Sequence, residues 1–460
     1  MKIFIPLIFL ANFLFAQENF DSLTIRKIYS YNLTESKSYN NLHSLCKDVG
    51  ARLSGSKQAE KAVTWAKQAM IQAGADTVYL VPCMVPHWVR GAKEKCYVSG
   101  NSKNKLETFA VCALGSSIAT PTQGVTAKVI EVSSFEELEK LGTEKIKGNI
   151  IFYNVSFDKT FVHTGGAYGK AVKYRSGASI AAKYGAVASI TKSMSTADND
   201  FPHTGMMKYD SLVSQKIPAF AISVTGAKKL NALLSQNKNL ELYLYSDCKT
   251  LPDDEPSYSV VGEIRGNEIP NEVIVVGGHL DSWDLGEGAH DDGAGIVQSI
   301  EVISAFKKLG LKNKRTIRAV AYMNEENGIR GGKSYAAMAM AAKENKKHIA
   351  ALESDMGGFT PKAIGVETTK DTLLYYQKWQ PLFEPYYVFI KQGHGGADIG
   401  ELIKLGVPQF SLEPDSQRYF DFHHTADDTF EHVNERELEL GAATITSFIY
   451  LLDKYGTYKK

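Results

Sequence analysis

Residues 273–295 read VIVVGGHLDSWDLGEGAHDDGAG, and they restrict the fold of this chain more than any other stretch. A β-branched run of strand length ends in Gly277-Gly278, and His279 and Asp281 follow at once. A Gly-rich loop then reaches Asp291-Asp292 and the expected start of a helix. One strand end thus receives an imidazole and several carboxylates. Buried carboxylates crowded together stay ionised only if a cation offsets their repulsion and desolvation, and His with Asp is ordinary zinc ligation. A polar loop that caps the helix near Asp292 is the alternative reading.

The 460 residues, 44% hydrophobic and 22% charged, can bury a large core in two or three domains. A formal net charge of +1, with both signs interspersed, leaves no basic stripe and argues against nucleic acid as a partner. Met1-Lys2, the apolar run Ile3 to Phe15 and Ala16-Gln17 read as a secretory signal over residues 1–16, too short to span a bilayer. The expected location is therefore secreted or periplasmic, with no membrane attachment after cleavage. Leu14 stands where the cleavage pattern prefers a small residue, so an uncleaved N-terminal anchor is the alternative. Five cysteines, Cys46, Cys83, Cys96, Cys112 and Cys248, are an odd number for an oxidising compartment. Their scatter favours packed thiols or one local disulfide over a metal or nucleophile role.

Residues 17–120 open with helical spacing, a loop ARLSGS at 51–56, a helix carrying Ala59, Ala62, Val63, Ala66, Met70 and Ala73 on one face and stopped by Gly74, and a strand at Thr77–Val85. Between 121 and 256 the texture changes to short β-rich runs broken by Gly, which reads as a separate small domain. It carries His163 and His203, which are expected as surface or loop histidines. From 257 to 460 an α/β pattern returns, with strands expected at Val273–Val276, Thr316–Met323, Ile349–Leu352 and Val407–Leu412. A final helix is expected from Asn434, with Glu437 placed as in a capping box.

Each of these strands ends in polar residues of one kind. Asn324-Glu325-Glu326 follows the second, Glu353-Ser354-Asp355 the third, and His423-His424 lies beyond the fourth. In open α/β sheets ligands bind outside the carboxyl ends of strands, so these segments are expected to converge on His279 and Asp291. Such a rim suits a pair of zinc ions.

At these residues the chain resembles the co-catalytic two-zinc aminopeptidases and glutamate carboxypeptidases. GHLDSWD with its following AHDDGAG, the Glu-Glu pair, ESDMGG and HHTADDT match in order and spacing, and ARLSGS and the β-rich segment extend the likeness over nearly all of the mature chain. The resemblance implies an α/β fold whose mixed central sheet is flanked by helices, formed by residues 17–120 and 257–460, with residues 121–256 as an inserted protease-associated domain. It implies two Zn2+ per chain, bridged by Asp291, with His279 and Asp355 completing one site and Glu326 and His424 the other. Glu325 is implied as general base, and Asp281 as the group holding the His279 ring through its other nitrogen. A cis peptide after the bridging carboxylate and a homodimer are implied as well.

The activity so implied is hydrolysis of short peptides or dipeptides from one end, with no Ser or Cys nucleophile. The sequence leaves aminopeptidase, dipeptidase and carboxypeptidase open. One departure concerns the oxyanion. Several relatives place a Tyr before the last His ligand, where this chain has His423, which is either a substitute donor or a packed histidine. His394, in a Gly-rich loop, either reaches a substrate terminus or lies on the surface. A catalytically inactive receptor-like or interaction module on the same fold is the alternative function. Intact side chains at all ligand and base positions argue against it.

Overall fold

The computed structural model describes residues 5–100, 107–213, 215–341 and 347–458. Residues 1–4 of the expected signal lie outside them. A helix runs from Ile5 to Glu35, and among the described residues no helix is long and apolar enough to cross a membrane.

The fold is α/β and built on a mixed eight-stranded sheet. Across it lie residues 77–85, 255–264, 315–322, 269–279, 348–353, 409–414, 361–367 and 389–392. The four expected strands are neighbours at its centre and run parallel. Strands buried on both faces read as continuous apolar runs, and residues 315–322 are buried throughout. Helix Ala294–Lys308 packs under them with Ile296, Ile300, Ile303 and Phe306 in the core. Helix Glu435–Tyr455 lies beside it, capped by the Asn434 side chain accepting from the Glu437 amide. The N-terminal helix packs Ile25, Ile28 and Tyr29 into the same core.

A second, seven-stranded sheet takes residues 125–132, 150–153, 188–192, 219–222 and 241–245. It also takes two strands ahead of residue 121, Lys95–Val98 and Val111–Ala113. It has a core of its own, including Val129, Phe152, Ile190, Phe220 and Leu242. All five cysteines are buried free thiols. His163 is exposed as expected, but His203 is buried, because the loop that carries it is covered by the chain around His424.

Candidate metal centre

Because the four central strands are parallel, their carboxyl ends open on one rim. His279 ends its strand, and Glu325-Glu326 and Asp355 follow the ends of two others. His423-His424 follow the strand ending at Pro414 by way of the short helix Tyr419–Phe422. Asp291 comes from the loop ahead of helix Ala294–Lys308, and its bond to Asp292 is cis, as the resemblance implies.

Asp291 stands in the middle. Its Oδ1 lies 3.1 Å from His279 Nε2, and its Oδ2 lies 3.2 Å from His424 Nε2. On one side His279 Nε2 is also 3.3 Å from Asp355 Oδ1, and on the other His424 Nε2 is 3.1 Å from Glu326 Oε2. The residues expected as ligands therefore form two groups that share Asp291. Donor atoms of His279, Asp291 and Glu326 lie within 4.8 Å of one another, as do those of Asp291, His423 and His424, and those of His279, Asp292 and Asp355. A gap of about 10 Å³ between Asp291, Glu326 and His424 has room for roughly one water-sized sphere.

The electrostatics of the bare residues ask for a cation. Burial, reinforced by neighbouring carboxylates, pushes the carboxyls of Glu325 and Asp292 well above their usual range. Burial likewise raises those of Glu326 and Asp355. Burial also works against ionisation of Asp291, yet hydrogen bonds from His279 and His424 hold its carboxyl well below normal. The His279 imidazole is disfavoured as a cation by burial, but Asp355 and Asp291 raise it well above its ordinary value. Acids crowded and buried in this way can all ionise only beside a cation. Mixed imidazole and carboxylate donors fit zinc.

The supporting shell explains why this geometry holds. His279 Nδ1 lies 2.9 Å from the main-chain oxygen of Asp281. Asp281 thus meets the ring through its carbonyl oxygen. The Asp281 carboxylate instead accepts from the Asn324 and Glu325 amides through Oδ1, fixing the turn that presents the two glutamates. Asp292 accepts from the His279 and Gly295 amides, and Asp428 accepts from the His290 and Asp291 amides. Arg52, fully buried, donates to the carbonyls of Leu280, Glu287 and Gly288 and so ties down the Gly-rich loop. Ser54 bonds to Asn324 and Asn327, which links ARLSGS to the glutamate turn.

Glu325 is half-buried while Glu326 is buried, so the two neighbours face different surroundings. His423 stacks on His424 at 3.5 Å between ring centroids, with Nε2 3.7 Å from Asp291 Oδ2. His394 lines a cavity of about 480 Å³ together with Asp355, Met356, Glu353 and Glu367. His290 stacks on Phe359 at 4.2 Å and is packed. The Ser282 and Ser354 hydroxyls donate to Trp283 O and Gln298 Oε1. Sequence reasoning missed Tyr168, Arg175 and Thr204, which the second sheet unit brings against His423 and His424. Only the third dimension joins them.

Residues 259–449 match the model of peptidase family M28. Carboxypeptidase Q of Homo sapiens is 36% identical over 424 residues, covering 92% of this chain and 86% of that protein. The Bos taurus carboxypeptidase Q is 35% identical over 425 residues, 92% of this chain and 86% of that one. Among solved structures, a peptidase M28 precursor from Shewanella amazonensis SB2B superposes with a TM-score of 0.89 at 33% identity, over 96% of this chain and 98% of the other. A zinc aminopeptidase from Bacillus subtilis shares the fold, with a TM-score of 0.65 at 20% identity over 93% and 97%.

Proposed function

Because this chain belongs to peptidase family M28, we propose that it is a secreted zinc-dependent exopeptidase that hydrolyses dipeptides or other short peptides. The observation that carries this reading is the position of Asp291, whose two carboxylate oxygens face His279 on one side and His424 on the other. In this reading His279, Asp291 and Asp355 would hold one zinc ion, and Asp291, Glu326 and His424 a second. Zinc so bound supplies Lewis acidity, lowering the pKa of water and polarising a peptide carbonyl.

The chain's own residues do the rest. Glu325 takes the proton from the attacking water and passes it to the leaving amine nitrogen. Asp281 fixes the turn that aims Glu325, and its main-chain oxygen sets the tautomer of His279. The cavity beside Asp355 receives the substrate, with His394 at its wall. The second sheet is an inserted protease-associated-like unit, and the resemblance supports a homodimer, which light scattering measures.

A panel of free dipeptides, N-blocked peptides and aminoacyl anilides tests the activity, read together with zinc per chain. Hydrolysis of free dipeptides by protein holding about two zinc ions, lost on chelation and regained with zinc, is the expected result. Stoichiometric zinc without hydrolysis of any of these substrates would overturn the enzyme reading in favour of an inactive module. Equal rates on N-blocked and free peptides would exclude an aminopeptidase.

A further inference from the structure

An arginine of the second sheet unit is buried against the metal centre without a carboxylate partner. Arg175 is 4% exposed, forms no ion pair among the described residues, and leaves Nε without a hydrogen bond. Its Nη1 donates to the Tyr168 hydroxyl at 2.7 Å, and its Nη2 lies 3.1 Å from His424 Nδ1. A buried guanidinium is costly unless negative charge faces it. The placement is nevertheless built in. Gly205 is at φ +134, and a Cβ there would lie 2.2 Å from Arg175 Cζ, so only glycine leaves room for the guanidinium. The adjoining Thr204 clasps the candidate ligand loop, its amide donating to His424 O at 3.0 Å and its carbonyl standing 3.3 Å from His424 Nδ1.

Tyr168 completes the arrangement. Its ring stacks on Phe420 at 4.9 Å and meets the His423 ring edge-on at 5.2 Å, beside the Asp291–His424 side of the centre. Its hydroxyl oxygen accepts from Arg175, and its own proton has no acceptor among the described residues. An O–H polarised by a guanidinium and left without an acceptor is suited to a negative oxygen that appears only during reaction. His423, adjacent in sequence to His424, is stacked on that ring and leaves Nδ1 unpartnered.

We infer that Tyr168 is a catalytic residue, donating its hydroxyl proton in a hydrogen bond to the oxyanion formed when water attacks the scissile carbonyl, and that Arg175 is the positioning residue that aims and polarises it. The second sheet unit thus supplies part of the reacting site, and the inference rests on the exopeptidase reading above. No covalent bond to Tyr168 forms or breaks; only a hydrogen bond does. The carbonyl π pair moves onto oxygen as water adds, the hydroxyl bonds to that oxygen, and it is released when the C–N bond breaks and the carbonyl reforms.

The test uses Tyr168→Phe, which keeps the ring and its packing, with Arg175→Lys and Arg175→Met. Five quantities are read on full-length zinc-loaded protein: kcat and KM for a cleaved dipeptide, zinc per chain, melting temperature, and affinity for a phosphinic dipeptide analogue that mimics the tetrahedral anion. Tyr168→Phe is expected to lower kcat by about 10²–10³, as loss of one oxyanion donor does. KM should stay within about threefold, zinc should be unchanged, and analogue affinity should fall in parallel with kcat, since such analogues report transition-state binding. Arg175→Met should behave alike, and Arg175→Lys should recover part of kcat. A kcat within threefold of the parent in Tyr168→Phe overturns the inference, as does a fall matched by lost zinc or by a lowered melting temperature. If the parent protein holds zinc yet cleaves nothing, the exopeptidase reading has failed. Analogue affinity then judges Tyr168 separately, and equal binding by parent and Tyr168→Phe overturns its role.

Discussion

Replacing either of the adjacent glutamates by glutamine should give two different enzymes. Neighbouring residues at a strand end point in different directions, and here Glu326 is buried with Oε2 3.1 Å from His424 Nε2 and Oε1 accepting from the Trp283 amide at 3.2 Å. Glu325 is half-buried, and its own amide, not its carboxylate, is what bonds to Asp281. Glu325→Gln therefore removes no side-chain hydrogen bond that holds the fold, and its stability should stay within about 0.5 kcal/mol of the parent. In the proposed mechanism it also removes the proton acceptor. The expected fall in kcat is about 10²–10⁴, or roughly 2.7–5.4 kcal/mol of barrier, with zinc content and KM near normal. Glu326→Gln keeps an oxygen for the Trp283 amide but loses ligand charge, so one zinc ion should bind more weakly and excess zinc should restore part of the activity. Excess zinc cannot restore Glu325→Gln. Zinc per chain by mass spectrometry and kcat for both variants decide the matter. Loss of metal in Glu325→Gln with a fully loaded Glu326→Gln would reverse the two roles and refute the reasoning.

Three further outcomes follow from groups outside the reacting atoms. Arg52→Met leaves three carbonyls of the Gly-rich loop without their donor and should cost about 3–5 kcal/mol in denaturant unfolding; a loss under 1 kcal/mol would mean that the loop holds itself. Glu439 is buried, and that burial, with Glu435 and Glu301 nearby, pushes its carboxyl up to about 7. The native state then holds a proton that the unfolded chain releases, so the contribution of Glu439 falls as pH rises from about 4.5 to 7 and is flat above. Glu439→Gln should accordingly match the parent near pH 4 and be more stable by roughly 1–2 kcal/mol at pH 8, and equal stabilities at both pH values would contradict this. Burial pushes the Cys46, Cys83 and Cys112 thiols up to about 12, so a thiol reagent at pH 8 should label none of them in the native protein and all of them in denaturant.

The central sheet was legible because of where it is buried. Strands covered on both faces must be apolar throughout, and Val273–Val276, Thr316–Met323, Ile349–Leu352 and Val407–Leu412 stand out from polar surroundings for that reason. Their polar ends stand out equally, since a carboxylate or imidazole directly after an apolar run has few structural uses. The strands Glu255–Ile264 and Pro361–Glu367 escaped notice. The first begins Glu-Pro and is exposed over its opening residues, and the second is led by Pro and interrupted by Gly365. Such runs become strands because the sheet edge beside them offers pairing, which is a tertiary fact. The same holds for Lys95–Val98 and Val111–Ala113, whose partners lie more than a hundred residues later.

Asp281 meets the His279 ring, and only the structure says with which of its oxygens. A ligand histidine needs an acceptor at its other nitrogen, and the nearest acid in sequence was the natural choice. A residue two positions on from His279 can meet the ring with either its carboxylate or its carbonyl, and spacing alone does not separate them. The backbone turn decides it. The carboxylate is drawn away by two amides of the glutamate turn, which leaves the carbonyl facing His279 Nδ1.

His203 lies in a loop, as expected, but is buried there. In the sequence it sits in a loop rich in Gly and polar residues, which marks a surface position when the loop is considered alone. The loop is instead pressed onto His424 and Arg175, and burial together with the charge of Arg175 pushes the His203 imidazole down to about 3, so it is neutral there. An uncharged ring can be buried beside a guanidinium without adding a second positive charge next to Arg175. Two sheets with separate cores are thus joined at the residues that surround the Asp291–His424 side. A displacement of the second unit would move Thr204 and Arg175 away from His424 together, so the geometry of that side depends on this one contact.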